Sequence, residues 1–92
     1  MFVVISYDIP DDRRRTRVAN TLLDYGTRVQ YSVFEVNLRP QQFRELREEL
    51  EKLVKPEEDS LRFYHLCAEC LRRVEIVGEG RVEEGEPLVI IV

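Results

Sequence analysis

The chain opens on an almost unbroken apolar run, Met-Phe-Val-Val-Ile-Ser-Tyr-Asp-Ile. Read as a strand, it alternates Phe2, Val4, Ser6 and Asp8 on one face with Val3, Ile5, Tyr7 and Ile9 on the other. Both faces are largely apolar, which predicts a strand central in its sheet. After Pro10 the period changes. Asp11 or Asp12 is placed to cap a helix running to about Tyr25, and Gly26 stands where a helix C-terminal glycine belongs. Val18, Leu22 and Leu23 form the core stripe of that helix. Arg15 falls in the same arc and should lean over the strand end near Asp8, whereas Arg17 does not. Residues 27–38 are rich in β-branched and aromatic side chains and predict two short strands meeting near Tyr31-Ser32, as a tight hairpin or a bulge. Pro40 then opens a second helix, with Phe43, Leu46, Leu50, Leu53 and Val54 at core spacing and Lys55-Pro56 at its end. Residues 60–67 alternate as another strand and residues 72–77 read as one more. An acidic, glycine-bearing loop from Gly78 to Pro87 leads to a last apolar run, Leu88-Val89-Ile90-Ile91-Val92.

The order β-α-β-β-α-β predicts an α+β fold, a ferredoxin-like sandwich over residues 1–77 with an extra C-terminal strand. Helices cover one sheet face in such a fold. The other face should then lack cover from its own chain, and a sheet-to-sheet homodimer would supply it. Residues 78–92 are expected to carry the terminal strand onto the sheet of that partner, because an open apolar edge invites pairing.

Composition narrows the class. Ninety-two residues make one small domain, and 43% hydrophobic with 35% charged residues describes a globular chain. No apolar run approaches the ~20 residues that span a bilayer, and the opening run reads as a strand rather than a secretion signal. A cytoplasmic location without membrane contact is expected. The net charge of −4 argues against a generic nucleic-acid coat. The charge is uneven, however. Residues 1–47 hold eight arginines against six acids and no lysine. A set of planar, bidentate guanidinium forks suits phosphate recognition better than lysine point charges do.

The chemistry concentrates where the first strand ends. Asp8 presents a carboxylate beside Arg13, Arg14, Arg15 and Arg17, an arrangement suited to a divalent ion and phosphate oxygens. The plainer alternative is a turn acid next to a solvated helix face. Asp11 and Asp12 read as caps, and Glu35 as a partner for an arginine. No histidine is placed as a general base, since His65 stands alone on a strand with a packing or hydrogen-bonding role. Cys67-Ala-Glu-Cys70 supplies two thiols where a structural zinc site wants four ligands. A structural pair, a disulfide and a metal site all remain open.

Tyr7-Asp8-Ile9, the segment Asp12 through Arg17, and Arg28-Val29-Gln30-Tyr31-Ser32-Val33-Phe34-Glu35 together resemble the small CRISPR-associated adaptation proteins, partners of the CRISPR integrase. The resemblance covers essentially the whole chain, including Leu66-Cys67-Ala68-Glu69-Cys70 and Arg73-Val74-Glu75. It implies a homodimer that scaffolds spacer insertion and acts as a metal-dependent endonuclease on single-stranded RNA or double-stranded DNA. It further implies that Asp8 is the catalytic Mg2+ ligand, and it places Tyr7, Arg15, Arg17, Arg28 and Phe34 within the family's motifs. Arg13 and Arg14, together with Arg15, Arg17 and Arg28, are expected to face nucleic acid, with Tyr7 and Phe34 in support. Two Asp8 side chains near a two-fold axis would share one ion. The alternatives are a non-catalytic duplex-binding adaptor and a toxin-like ribonuclease of similar fold.

Overall fold

The computed structural model describes residues 1–82. Its elements run β1 (Phe2–Asp8), α1 (Asp12–Leu23), β2 (Gly26–Gln30), β3 (Val33–Asn37), α2 (Pro40–Leu53), β4 (Ser60–Leu66) and α3 (Ala68–Arg72). The strands form one four-stranded sheet in the order β2-β3-β1-β4, with antiparallel pairing throughout. β1 is central, as its two apolar faces require. The fold is α+β.

Strand parity sorts the side chains. Val3, Ile5 and Tyr7 share a face with Phe34 and Val36 of β3, and this face meets Val18, Ala19 and Leu22 of α1 and Phe43, Leu46 and Leu50 of α2 in one buried core. Both long helices therefore cover the same side. Asp11 caps α1, its side chain accepting from the Arg14 N–H at 2.9 Å. Pro40 occupies the first turn of α2, and the Gln42 side-chain oxygen accepts from the Arg39 N–H at 3.0 Å.

Four expectations are corrected. Leu23 is 53% exposed and leaves the core stripe to Val18, Ala19 and Leu22. Gly26 is not a helix cap: α1 closes on Asp24, and Gly26 begins β2 without a positive φ. Glycine is needed there for another reason, since a Cβ would stand 2.2 Å from the Glu35 carbonyl oxygen and 2.7 Å from Val36 Cγ1. Residues 72–77 form no strand. Cys67 caps a short helix of good helix formers instead, and the chain leaves it at Arg73 with Val74 N–H bonded to Leu71 O at 3.2 Å. Finally, the chain itself covers one end of the second sheet face, while Asp8, Arg62 and Tyr64 on the same face stay exposed. Leu71 of α3, Val74 and Val82 pack against Phe2, Val4 and Leu66 in a second cluster. The terminal run 88–92, and its addition to a partner sheet, lie outside the described residues.

Candidate functional site

Asp8 ends β1 with its Cα opposite Ser60 of β4. It is exposed, and its parity places it on the face of Phe2, Val4 and Ser6, away from the long helices. Its carboxylate makes no hydrogen bond or ion pair with the described residues. On the same face, Arg62 stands opposite Ser6 and donates to the Tyr64 hydroxyl at 3.2 Å.

The other expected site residues separate into three groups. The first is a stack on the helix-covered face. Tyr7, only 4% exposed, lies beside Phe34 with ring centroids 6.3 Å apart. The Arg28 guanidinium sits 5.2 Å over the Phe34 ring and donates to the Tyr7 hydroxyl at 3.5 Å. That hydroxyl in turn donates to the Tyr31 carbonyl at 3.3 Å. Sequential neighbours Tyr7 and Asp8 thus serve opposite faces, because a strand alternates.

The second group ties down the β1–α1 turn. Arg15 leans over the strand end as its helical phase predicts, but it meets backbone rather than the Asp8 carboxylate. Its Nη1 donates to the Ile9 carbonyl at 2.9 Å and the Pro10 carbonyl at 3.4 Å, and its Nη2 pairs with Asp12. Asp11 is held below the usual carboxylate range, chiefly by the Arg14 backbone N–H. Both acids are thus occupied by the turn and the helix start.

Arg14 forms the third group, and here the expectation of a phosphate-facing arginine is corrected. Its guanidinium grips Asp59 through Nε at 2.9 Å and Nη2 at 3.0 Å, and reaches Glu58 at 2.9 Å. The Asp59 side chain is fully buried, and the Arg14 side chain is 15% exposed. Asp59 also accepts from the Lys55 N–H at 2.8 Å. Its carboxyl is held below the ordinary value, first by the Arg14 bond and then by the Lys55 N–H, with burial opposing them. Arg14 is therefore a clamp between α1 and the loop before β4. Arg13 and Arg17, by contrast, are exposed on α1.

Between α1 and the β2–β3 turn lies a groove of about 480 Å³, lined by Tyr7, Arg15, Thr16, Asn20, Leu23, Arg28, Tyr31 and Ser32 among others. Tyr31 at its rim is 93% exposed. The sequence marks Tyr31 as a turn residue but contains no signal that α1 passes close enough to make a concavity with it. His65 lies against Phe43, ring centroids 5.2 Å apart. Among the described residues no three His, Cys, Asp or Glu side chains converge as metal ligands. Asp8 fits a magnesium ion only in the sparing mode of one carboxylate completed by waters and substrate oxygens, or by a second copy's carboxylate.

Comparison with known proteins identifies the family of this chain. Residues 1–74 match the sequence model of the CRISPR associated protein Cas2 family. The chain is 51% identical over 88 residues to "CRISPR-associated endoribonuclease Cas2 3" of Synechocystis sp., with 96% of each chain covered. It is 47% identical over 86 residues to "CRISPR-associated endoribonuclease Cas2" of Thermus thermophilus, covering 94% of this chain and 92% of the relative. Among solved structures, Streptococcus pyogenes Cas2 superposes with a TM-score of 0.74 at 37% identity, over 85% of this chain and 100% of that one. A chain of a partial Cas6-RT-Cas1–Cas2 complex gives 0.72 at 31% identity, over 83% and 89%. On this sequence and fold, the chain belongs to the CRISPR-associated Cas2 family.

Proposed function

We propose that the protein is a CRISPR adaptation component, a homodimer that partners a Cas1-type integrase and acts as a magnesium-dependent endonuclease on single-stranded RNA. The exposed Asp8 carboxylate at the tip of the central strand, unengaged by the described residues, carries this reading. Support comes from relatives named as endoribonucleases and from the likeness to a chain in a complex that also contains Cas1. The strand order β2-β3-β1-β4, with both long helices on one face, supports the ferredoxin-like assignment.

In this reading Asp8 holds the ion, alone or with the Asp8 of a second copy. A magnesium held there would supply an activated water and offset charge developing on the phosphate. Arg15 fixes the turn that follows Asp8, so the carboxylate stays at the strand tip. Exposed Arg13 and Arg17 offer guanidinium forks to backbone phosphates. The groove gives RNA a further foothold, with the Tyr31 ring available for base stacking and Arg28 beside it.

The test is cleavage of end-labelled single-stranded RNA by wild type and Asp8→Asn, with magnesium and with chelator, alongside light scattering for dimer mass. Loss of cleavage in an intact Asp8→Asn dimer, and in wild type under chelation, is expected. Full-rate cleavage by the variant would overturn the assignment. One carboxylate per chain is also what a duplex-DNA-binding adaptor without nuclease activity would show. That second reading is favoured instead if wild type binds duplex DNA and Cas1 but never cuts.

A further inference from the structure

Cys67 and Cys70 stand outside everything assigned above. Both are free and exposed. Cys67 caps α3, and the Cys70 N–H donates to its Sγ at 3.4 Å. The turn that brings them together is fixed from below: Leu71, 1% exposed, anchors α3 against Phe2 and Val82 of the sheet's second face. The two thiols are thus held three residues apart on a helical turn, the spacing at which side chains meet.

Among the described residues the metal alternative lacks a third ligand. No group of three His, Cys, Asp or Glu side chains converges among the described residues, and the His65 ring packs on Phe43. The redox alternative has the asymmetry it needs. Hydrogen bonds from Cys70, its backbone N–H first and its thiol second, hold the Cys67 thiol below the ordinary value. The Cys70 thiol, donating to Cys67, is pushed up. Thiolate character marks the attacking sulfur in thiol–disulfide exchange, and the less acidic neighbour then resolves the adduct.

We propose that Cys67 and Cys70 form a reversible dithiol/disulfide site that reacts with low-molecular-weight disulfides such as oxidised glutathione. The Cys67 thiolate attacks one sulfur of the small disulfide, which releases one thiolate and leaves a mixed disulfide on Cys67. The Cys70 thiol loses its proton to solvent and attacks the Cys67 sulfur, expelling the second thiolate. The protein is oxidised by two electrons, the small disulfide is reduced to two thiols, and the ring closes within one chain.

The test treats the full-length, pre-reduced protein with oxidised glutathione and reads intact mass and free thiols without reductant. Wild type should lose two hydrogens, retain no adduct, run as a single chain on a denaturing gel, and recover both thiols with dithiothreitol. Cys70→Ser should stop at one glutathione adduct. Cys67→Ser should react more slowly than Cys70→Ser, because in Cys70→Ser the remaining Cys67 thiol keeps the backbone N–H of residue 70 at 3.4 Å. Circular dichroism shows whether each variant is folded, and a folded Cys67→Ala repeats the second comparison where serine disturbs the cap. Persistent adducts on wild type, chain-to-chain disulfides, two unreacted thiols, or equal rates for the two variants would overturn the proposal. So would stoichiometric protection of both thiols by zinc alone.

Discussion

Phe34 and Asp8 both belong to the family-like pattern read from the sequence, yet the structure gives them different work, and substitution should separate them. Phe34 is fully buried, flanked by the Tyr7 ring and roofed by the Arg28 guanidinium, with Ile5 opposite it across the β1–β3 pair. Phe34→Ala removes a whole ring from the main core. The usual cost of such a truncation is about 3–5 kcal/mol, the spread reflecting how far the site collapses. Against a total stability of about 5–15 kcal/mol for a small domain, that is a large fraction. At about 4–8 °C of melting temperature per kcal/mol for a domain of this size, the midpoint should fall by at least about 12 °C. Asp8→Asn touches an exposed carboxylate without a partner among the described residues and should move stability by no more than about 0.5 kcal/mol. The assays are thermal melts and equilibrium urea unfolding, both followed by far-ultraviolet circular dichroism at fixed protein concentration. RNA cleavage is then measured well below each midpoint and normalised to folded protein. Phe34→Ala should lose midpoint while keeping substantial cleavage per folded molecule, and Asp8→Asn should do the reverse. A Phe34→Ala protein with wild-type stability but no cleavage would refute the reasoning, because it would put the ring in contact with substrate rather than in the core.

The remaining predictions follow from individual contacts. Gly26→Ala sets a methyl group 2.2 Å from the Glu35 carbonyl oxygen, so β2 must shift. Overpacking of this kind costs about 1–3 kcal/mol, readable as a lower urea midpoint. Asp11 and Asp59 both titrate below their ordinary value of 3.8. Their contribution is therefore fully present above that value and drains away as pH falls through their lower folded values. Thermal melts should decline progressively below about pH 4, and Asp59→Asn should flatten that decline. Tyr31→Ala should leave stability unchanged, since the side chain is 93% exposed. It should weaken single-stranded RNA binding by about 1–3 kcal/mol if the ring stacks on a base, with Tyr31→Phe restoring affinity in a fluorescence-anisotropy titration.

Much of this protein is decided by local pattern. The two-sided apolar run at residues 1–9 makes β1 central whatever surrounds it, because either face would be costly in water. Asp11 and Pro40 start helices by chemistry confined to a single turn, and Phe43, Leu46 and Leu50 turn one helix face inward by spacing alone. Asp8 is legible as a strand-tip carboxylate for the same reason. What the tertiary structure alone decided concerns residues that meet across the chain. Arg14 is indistinguishable from Arg13 in sequence. Only the loop that brings Asp59 beneath it makes it an interior clamp. Gly26 looks like a helix cap until β3 passes within contact distance. Val74 and Val82 pair with Phe2 only after α3 turns the chain back over the sheet. The Tyr31 groove exists only where α1 and the β2–β3 turn converge. Burial and ion pairing depend on which distant segment arrives. Periodicity reports which face of an element is apolar, and it carries no information about what comes to lie against it.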